Sequence, residues 1–244
     1  MSDLVDRAES TLARHLAANP YPGRGLVLGR SADGQAWLQV YWIMGRSANS
    51  RNRVFVSAGS TLRTELFDAA AVEDPKLILY DAMLELERAY LVSNGDQTRT
   101  VYDALVRGGS FEGALATRER EPDAPNFTPR ITGLIDLRGA EPAFALSLLK
   151  ANRADPERTD RTTYRPAPPP SGLGLGLTTY QGDGSPLPSF EGEPLWLPLA
   201  GSPEAVLARY WEALDRENRV SLAVKRIPLG GGPGVLWVRN RHAR

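Results

Sequence analysis

Short apolar runs separated by turn residues set the frame for this chain. Residues 25–30 and 36–44 are rich in Leu, Val, Trp, Tyr and Ile, and Ser31-Ala32-Asp33-Gly34 lies between them. That is the pattern of a hairpin. Similar runs predict strands over 54–57, 62–67, 89–93, 131–137, 143–150, 173–180, 220–227 and 234–239. Helical spacing is rarer. Leu4, Val5, Ala8, Leu12 and Leu16 recur at that period and stop at Asn19-Pro20. Segments 98–106, 111–117 and 203–216 read as helices, the first ended by Gly108-Gly109. The mixed apolar segment 76–87, opened by Asp74-Pro75, reads as one more. Residues 118–130 are too polar and proline-rich for either element. Strands outnumber helices and the helices fall into two groups. The expected fold is therefore a layered α/β or α+β arrangement with mostly antiparallel sheets.

Composition narrows the chemistry. The 244 residues fit one domain or two small ones. The chain contains no cysteine, which removes thiolate nucleophiles, cysteine zinc sites and disulfides. Its 29 basic and 29 acidic residues balance, so nothing draws the whole molecule to nucleic acid or an anionic membrane. No apolar run reaches the length of a bilayer span. Residues 1–20 lack a basic start followed by an apolar stretch, so no secretion signal is expected and a cytoplasmic location is.

Three segments place polar groups where strands end. The first, Met44-Gly45-Arg46-Ser47-Ala48-Asn49-Ser50-Arg51-Asn52-Arg53, delivers three arginines within eight positions, interleaved with hydroxyls and amides. The planar guanidinium fork suits phosphate oxygens; the plainer alternative is a solvated basic turn. The second, Ser93-Asn94-Gly95-Asp96-Gln97, precedes a helix. It offers an anion site at the helix start, or simply a tight turn and an N-cap. The third runs from Thr117 to Arg130; Glu119, Glu121 and Asp123 are candidate proton carriers and Arg130 a candidate anion ligand. A charged surface loop with local ion pairs is the competing reading.

Other chemistries fit poorly. The only histidines, His15 and His242, lie near the two ends, which argues against a Ser-His-Asp triad or a histidine metal site. The glycines at 172, 174 and 176 match neither the dinucleotide fingerprint nor the phosphate-binding P-loop. Gly230-Gly231-Gly232 reads as a hairpin loop, and the five tryptophans as core.

Five short motifs in order carry a resemblance: Tyr21-Pro22-Gly23-Arg24-Gly25, Gly45-Arg46-Ser47 to Asn52-Arg53, Val92-Ser93-Asn94-Gly95, Asn126-Phe127-Thr128-Pro129-Arg130-Ile131, and Thr178-Thr179-Tyr180. Together they resemble the archaeal-type IMP cyclohydrolases and their bacterial relatives. The resemblance implies one domain over 1–244, built as a four-layer αββα sandwich like that of the N-terminal nucleophile hydrolases but without their self-processing chemistry. It implies closure of 5-formamidoimidazole-4-carboxamide ribonucleotide to IMP with loss of water, at the end of de novo purine synthesis. That needs a purine nucleotide as the small-molecule partner, and no cofactor or metal.

The same resemblance assigns residues. Arg53, Glu121, Tyr80 and Asn94 are the implied catalytic groups. Arg24, Arg46, Arg51, Asp96 and Arg130 are the implied substrate ligands. Insertions between Ser47 and Asn52, and between Glu121 and Thr128, shift the register, so Arg51 can stand in for Arg53 and Glu119 for Glu121. An enzyme on another formylated or amide nucleotide, or a non-catalytic nucleotide-binding module, is the alternative. Self-association as a homo-oligomer stays open.

Overall fold

Apolar runs buried on both faces build two sheets that face each other. In the computed structural model, which describes residues 2–71 and 78–242, the first strands are β1 (Gly25–Arg30) and β2 (Ala36–Met44), paired antiparallel as expected. All nine residues of β2 are buried. Trp37, Tyr41 and Ile43 point to one face and Leu38, Val40 and Trp42 to the other. A strand covered on both sides needs two partners, and the chain supplies both.

The first sheet has the order β11-β10-β1-β2-β12-β13, where β10 is Leu173–Thr178, β11 Leu195–Pro198, β12 Arg219–Pro228 and β13 Val235–Asn240. The second runs β3-β4-β5-β6-β7-β8-β9, from β3 (Arg53–Ala58), β4 (Thr61–Leu66), β5 (Asp81–Leu86) and β6 (Ala89–Ser93) to β7 (Arg130–Asp136), β8 (Ala143–Ala151) and β9 (Thr159–Tyr164). Every named pairing is antiparallel. Between the sheets lie Leu26, Leu28, Tyr41, Phe55, Met83, Val92, Ile131, Ile135 and Phe144.

Helices cover the outer faces. Against the first sheet pack α1 (Ser2–Thr11), its π-helical continuation Leu12–Ala17, and α5 (Pro203–Ala213), through Leu12, Leu16, Val206, Tyr210 and Trp211. Between α1 and α5 in sequence come a single short turn, α2 (Ala48–Arg51), and then α3 (Gln97–Val106) and α4 (Phe111–Ala116). The last two cover the second sheet through Val101, Leu105, Phe111 and Leu115, which meet Leu91, Leu134 and Ala145. The result is four layers, helix, sheet, sheet, helix, and an α+β fold as the strand count implied. Among the described residues no helix is long and apolar enough to cross a membrane.

Three segments differ from expectation. The helix read over 76–87 begins at residues outside the described ones, and its remainder is the strand β5. Ala82, Met83 and Leu84 are all buried, so this short apolar run carries no period that separates strand from helix. Pairing with β4 and β6 decides it. The strands β9 and β11 escaped notice. The sequence of β9, TDRTTY, has no apolar alternation, and only the β8 edge beside it makes it a strand.

Leu28 is fully buried between the sheets. Leu28→Ala should cost about 2–5 kcal/mol, read as a lower urea midpoint at unchanged slope.

Candidate active site

The chain passes from the first sheet to the second between β2 and β3, and this crossing builds one wall of a cleft. Beyond Met44, Ser47 caps α2: the Ser50 N–H donates to Ser47 Oγ at 3.1 Å and the Ser47 N–H to Ser50 Oγ at 3.0 Å. This reciprocal cap fixes the turn. Arg53, the first residue of β3, then folds back under it. Its Nε donates to the Ser50 carbonyl at 2.8 Å and its Nη2 to the Met44 carbonyl at 3.0 Å. Arg53 is only 4% exposed, yet among the described residues no carboxylate pairs with it. A buried cation compensated by carbonyl dipoles alone leaves an electrostatic demand for an anion.

The opposite wall begins at Gly23. Its φ of +74° and the approach of Thr179 and Tyr180, which a Cβ would meet at 2.2 and 2.5 Å, admit only glycine. This presses Arg24 against Thr179: the Arg24 N–H donates to Thr179 Oγ1 at 3.1 Å, and Thr179 N–H to the Arg24 carbonyl at 2.8 Å. The Arg24 guanidinium meets Glu121 as a fork, with Nη1 to Oε1 and Nη2 to Oε2 both at 3.0 Å. Its Nη1 also donates to the Asn94 carbonyl at 2.8 Å. Glu121 is 4% exposed. Burial pushes its carboxyl above the ordinary range, and the Arg24 guanidinium pulls back without cancelling that.

Between these walls lies a cleft of about 400 Å³. The Tyr21 ring stacks on Tyr180 at 5.9 Å and carries the Arg46 guanidinium 5.0 Å from its centre. Burial raises the Tyr21 phenol, while Arg53, Arg24 and Arg46 pull it down. That phenol therefore feels all three cations. Arg46 is partly exposed and bonds Asp183 and, at 3.0 Å, the Gly184 carbonyl. Thr128 completes the lining: its hydroxyl donates to Asp123 and lies 2.6 Å from the Tyr180 hydroxyl. Positive groups, a buried carboxyl and several hydroxyls thus share one concave space.

Of the residues singled out from the sequence, Arg24, Arg46, Arg53, Glu121 and Asp123 line this cleft. The others stand behind it or outside it. Arg51 bonds the Gly45 carbonyl and Asn218, so Arg53, not Arg51, faces the cleft. Glu119 is exposed and pairs with Arg161, which leaves Glu121 as the inner carboxyl. Tyr80 is buried with its hydroxyl 2.6 Å from that of Tyr41. Asn94 is wholly buried; its Nδ2 donates to the Pro129 carbonyl at 2.8 Å, and its Oδ1 accepts from Ile131 N–H and Gln97. Its amide closes a turn, and it does not line the cleft. Arg130 bonds Asp96, Gln97 and the Glu119 carbonyl, and Asp96 also holds Arg118. These last contacts brace the 118–129 loop from outside.

The lining residues not singled out include five hydroxyls, Tyr21, Ser47, Ser50, Thr128 and Tyr180. Tyr21 and Tyr180 sit in the quoted motifs, but nothing in the sequence says that their rings stack.

A family model described as IMP cyclohydrolase-like protein matches residues 21–231, a span that holds every lining residue of the cleft, and the chain belongs to that family. Among the curated proteins there is no match.

Glu121→Ala would leave the Arg24 charge buried without its counterion. The expected cost is about 3–5 kcal/mol, seen in chemical denaturation, and the double change Arg24→Met/Glu121→Leu should recover most of it.

Proposed function

We propose that this member of the IMP cyclohydrolase-like family closes the pyrimidine ring of a purine nucleotide, converting 5-formamidoimidazole-4-carboxamide ribonucleotide to IMP and water. The reading rests on one observation above all: a buried Arg53 with no carboxylate partner among the described residues and a buried Glu121, whose carboxyl burial raises, open onto the same cleft. Its volume of about 400 Å³ suits a mononucleotide.

In this reading the monophosphate docks on Arg53 and Arg46. Arg46 exchanges its surface contact with Asp183 for the phosphate. The base moiety then lies toward Tyr21, Tyr180 and Glu121. Holding the carboxamide nitrogen against the formyl carbon supplies much of the rate, because the two groups no longer search for each other. Attack forms the C–N bond and drives the formyl π electrons onto oxygen. The Arg24 guanidinium stabilises that oxyanion, and Glu121, reacting from the protonated form that its burial favours, hands it a proton. Loss of the hydroxyl as water, with removal of the formamide N–H proton, forms the C=N bond. Asn94, Arg130 and Asp96 serve by positioning Arg24 and the loop that carries Glu121. Arg51 and Tyr80 support the walls.

The direct test is incubation with the formamido nucleotide and measurement of IMP by absorbance or chromatography. Turnover is expected, and binding without turnover would favour a non-catalytic nucleotide module. Arg53→Ala should weaken IMP binding about 10- to 100-fold and leave inosine binding nearly unchanged. Equal losses for both would remove the phosphate role.

A further inference from the structure

The ring closure requires two protons to leave two different nitrogens and arrive on one oxygen. Two groups, one accepting while the other donates, can serve both transfers. The cleft holds a second proton-carrying group, which the proposed function has not used.

The 118–129 loop carries Asp123 and Thr128 side by side. Thr128 N–H donates to Asp123 Oδ1 at 2.6 Å, and Thr128 Oγ1 donates to Asp123 Oδ2. A hydroxyl has one proton, and a carboxylate only accepts. The 2.6 Å contact between the Thr128 and Tyr180 hydroxyls is therefore bridged by the tyrosine's proton. The Tyr180 oxygen keeps its lone pairs, and Tyr180 lines the cleft. Asp123 is half-buried and lines the same cleft, and Thr128 is buried.

We infer that Tyr180, Thr128 and Asp123 form a proton relay that works in opposition to Glu121. The inference rests on the cyclohydrolase reading. In the addition step the carboxamide nitrogen gives its proton to the Tyr180 oxygen, Tyr180 passes its own to Thr128, and Thr128 passes its own to the Asp123 carboxylate. Glu121 protonates the oxyanion and becomes a carboxylate. In the elimination step the relay runs backwards: Asp123 returns its proton, and Tyr180 delivers one to the hydroxyl, which leaves as water with the C–O electron pair. The Glu121 carboxylate takes the formamide N–H proton as C=N forms. Two N–H protons reach one oxygen, and both carboxyls end as they began. Tyr180 is the group that touches substrate; Thr128 and Asp123 act through it.

Thr128→Val keeps the side chain's shape and cuts the relay. Asp123→Asn retains an acceptor for Thr128 N–H, but its amide donates to the Thr128 hydroxyl, which reverses the chain and turns the phenol proton into the cleft. Both variants should lose about 100-fold or more in kcat, with KM and IMP affinity by calorimetry little changed. Thr128→Ser should regain most of the loss. Thr128→Val turning over as fast as Thr128→Ser overturns the relay, as does a loss confined to KM or to IMP affinity. If Thr128→Val does not fold, Asp123→Asn decides alone by the same criteria. Wild-type protein that binds IMP but closes no ring removes the cyclohydrolase reading and the relay with it. Wild-type turnover with undiminished variants removes the relay only.

Discussion

The Arg24–Glu121 fork ties together three stretches of chain drawn from both sheets. Arg24 precedes β1 in the first sheet, Glu121 sits on the long loop before β7 in the second, and the Asn94 carbonyl that also binds Arg24 ends β6. Both side chains are almost completely withdrawn from water. Neither charge is tolerable there alone, so the pair fixes the loop as firmly as it fixes the arginine. The carboxyl that the chemistry needs is thus presented by the same contact that makes its burial tolerable.

Around that pair the charges are arranged unevenly. Arg24 has a full counterion, Arg46 a partial one at the surface, and Arg53 only two carbonyl oxygens. A ligand bearing negative charge gains most at Arg53 and displaces least there. Hydroxyls and Asp123 add to the lining, which keeps the cleft able to relay protons as well as to bind. The bracing contacts of Arg130 with Asp96, Gln97 and the Glu119 carbonyl then determine how rigidly the loop stands.

The layered architecture was readable in the sequence because β1, β2, β6 and β7 are short apolar runs bounded by turn residues and the helices are amphipathic. What failed to register was structure supplied by neighbours. The β9 strand has no apolar pattern of its own, and β5 has apolar residues without a diagnostic period. At the site, Arg24, Arg46, Arg53 and Glu121 were legible as charges clustered where strands end. Asn94 was legible only as a turn residue, and its amide is consumed by the backbone around it. The direction of the Tyr180 hydroxyl was beyond sequence reasoning, since it depends on a threonine 52 positions away.

The crossing from β2 to β3 gives the anion clamp an unusual mechanical situation. Arg53 belongs to one sheet, while the Met44 carbonyl it grips belongs to the other. Elsewhere Lys225 of β12 reaches across in the same way to Ser60 and Glu85. The separation of the two leaves is therefore built into the grip on the ligand. Thinning the filling between them, even at a point remote from the cleft, would be felt as a slackened hold.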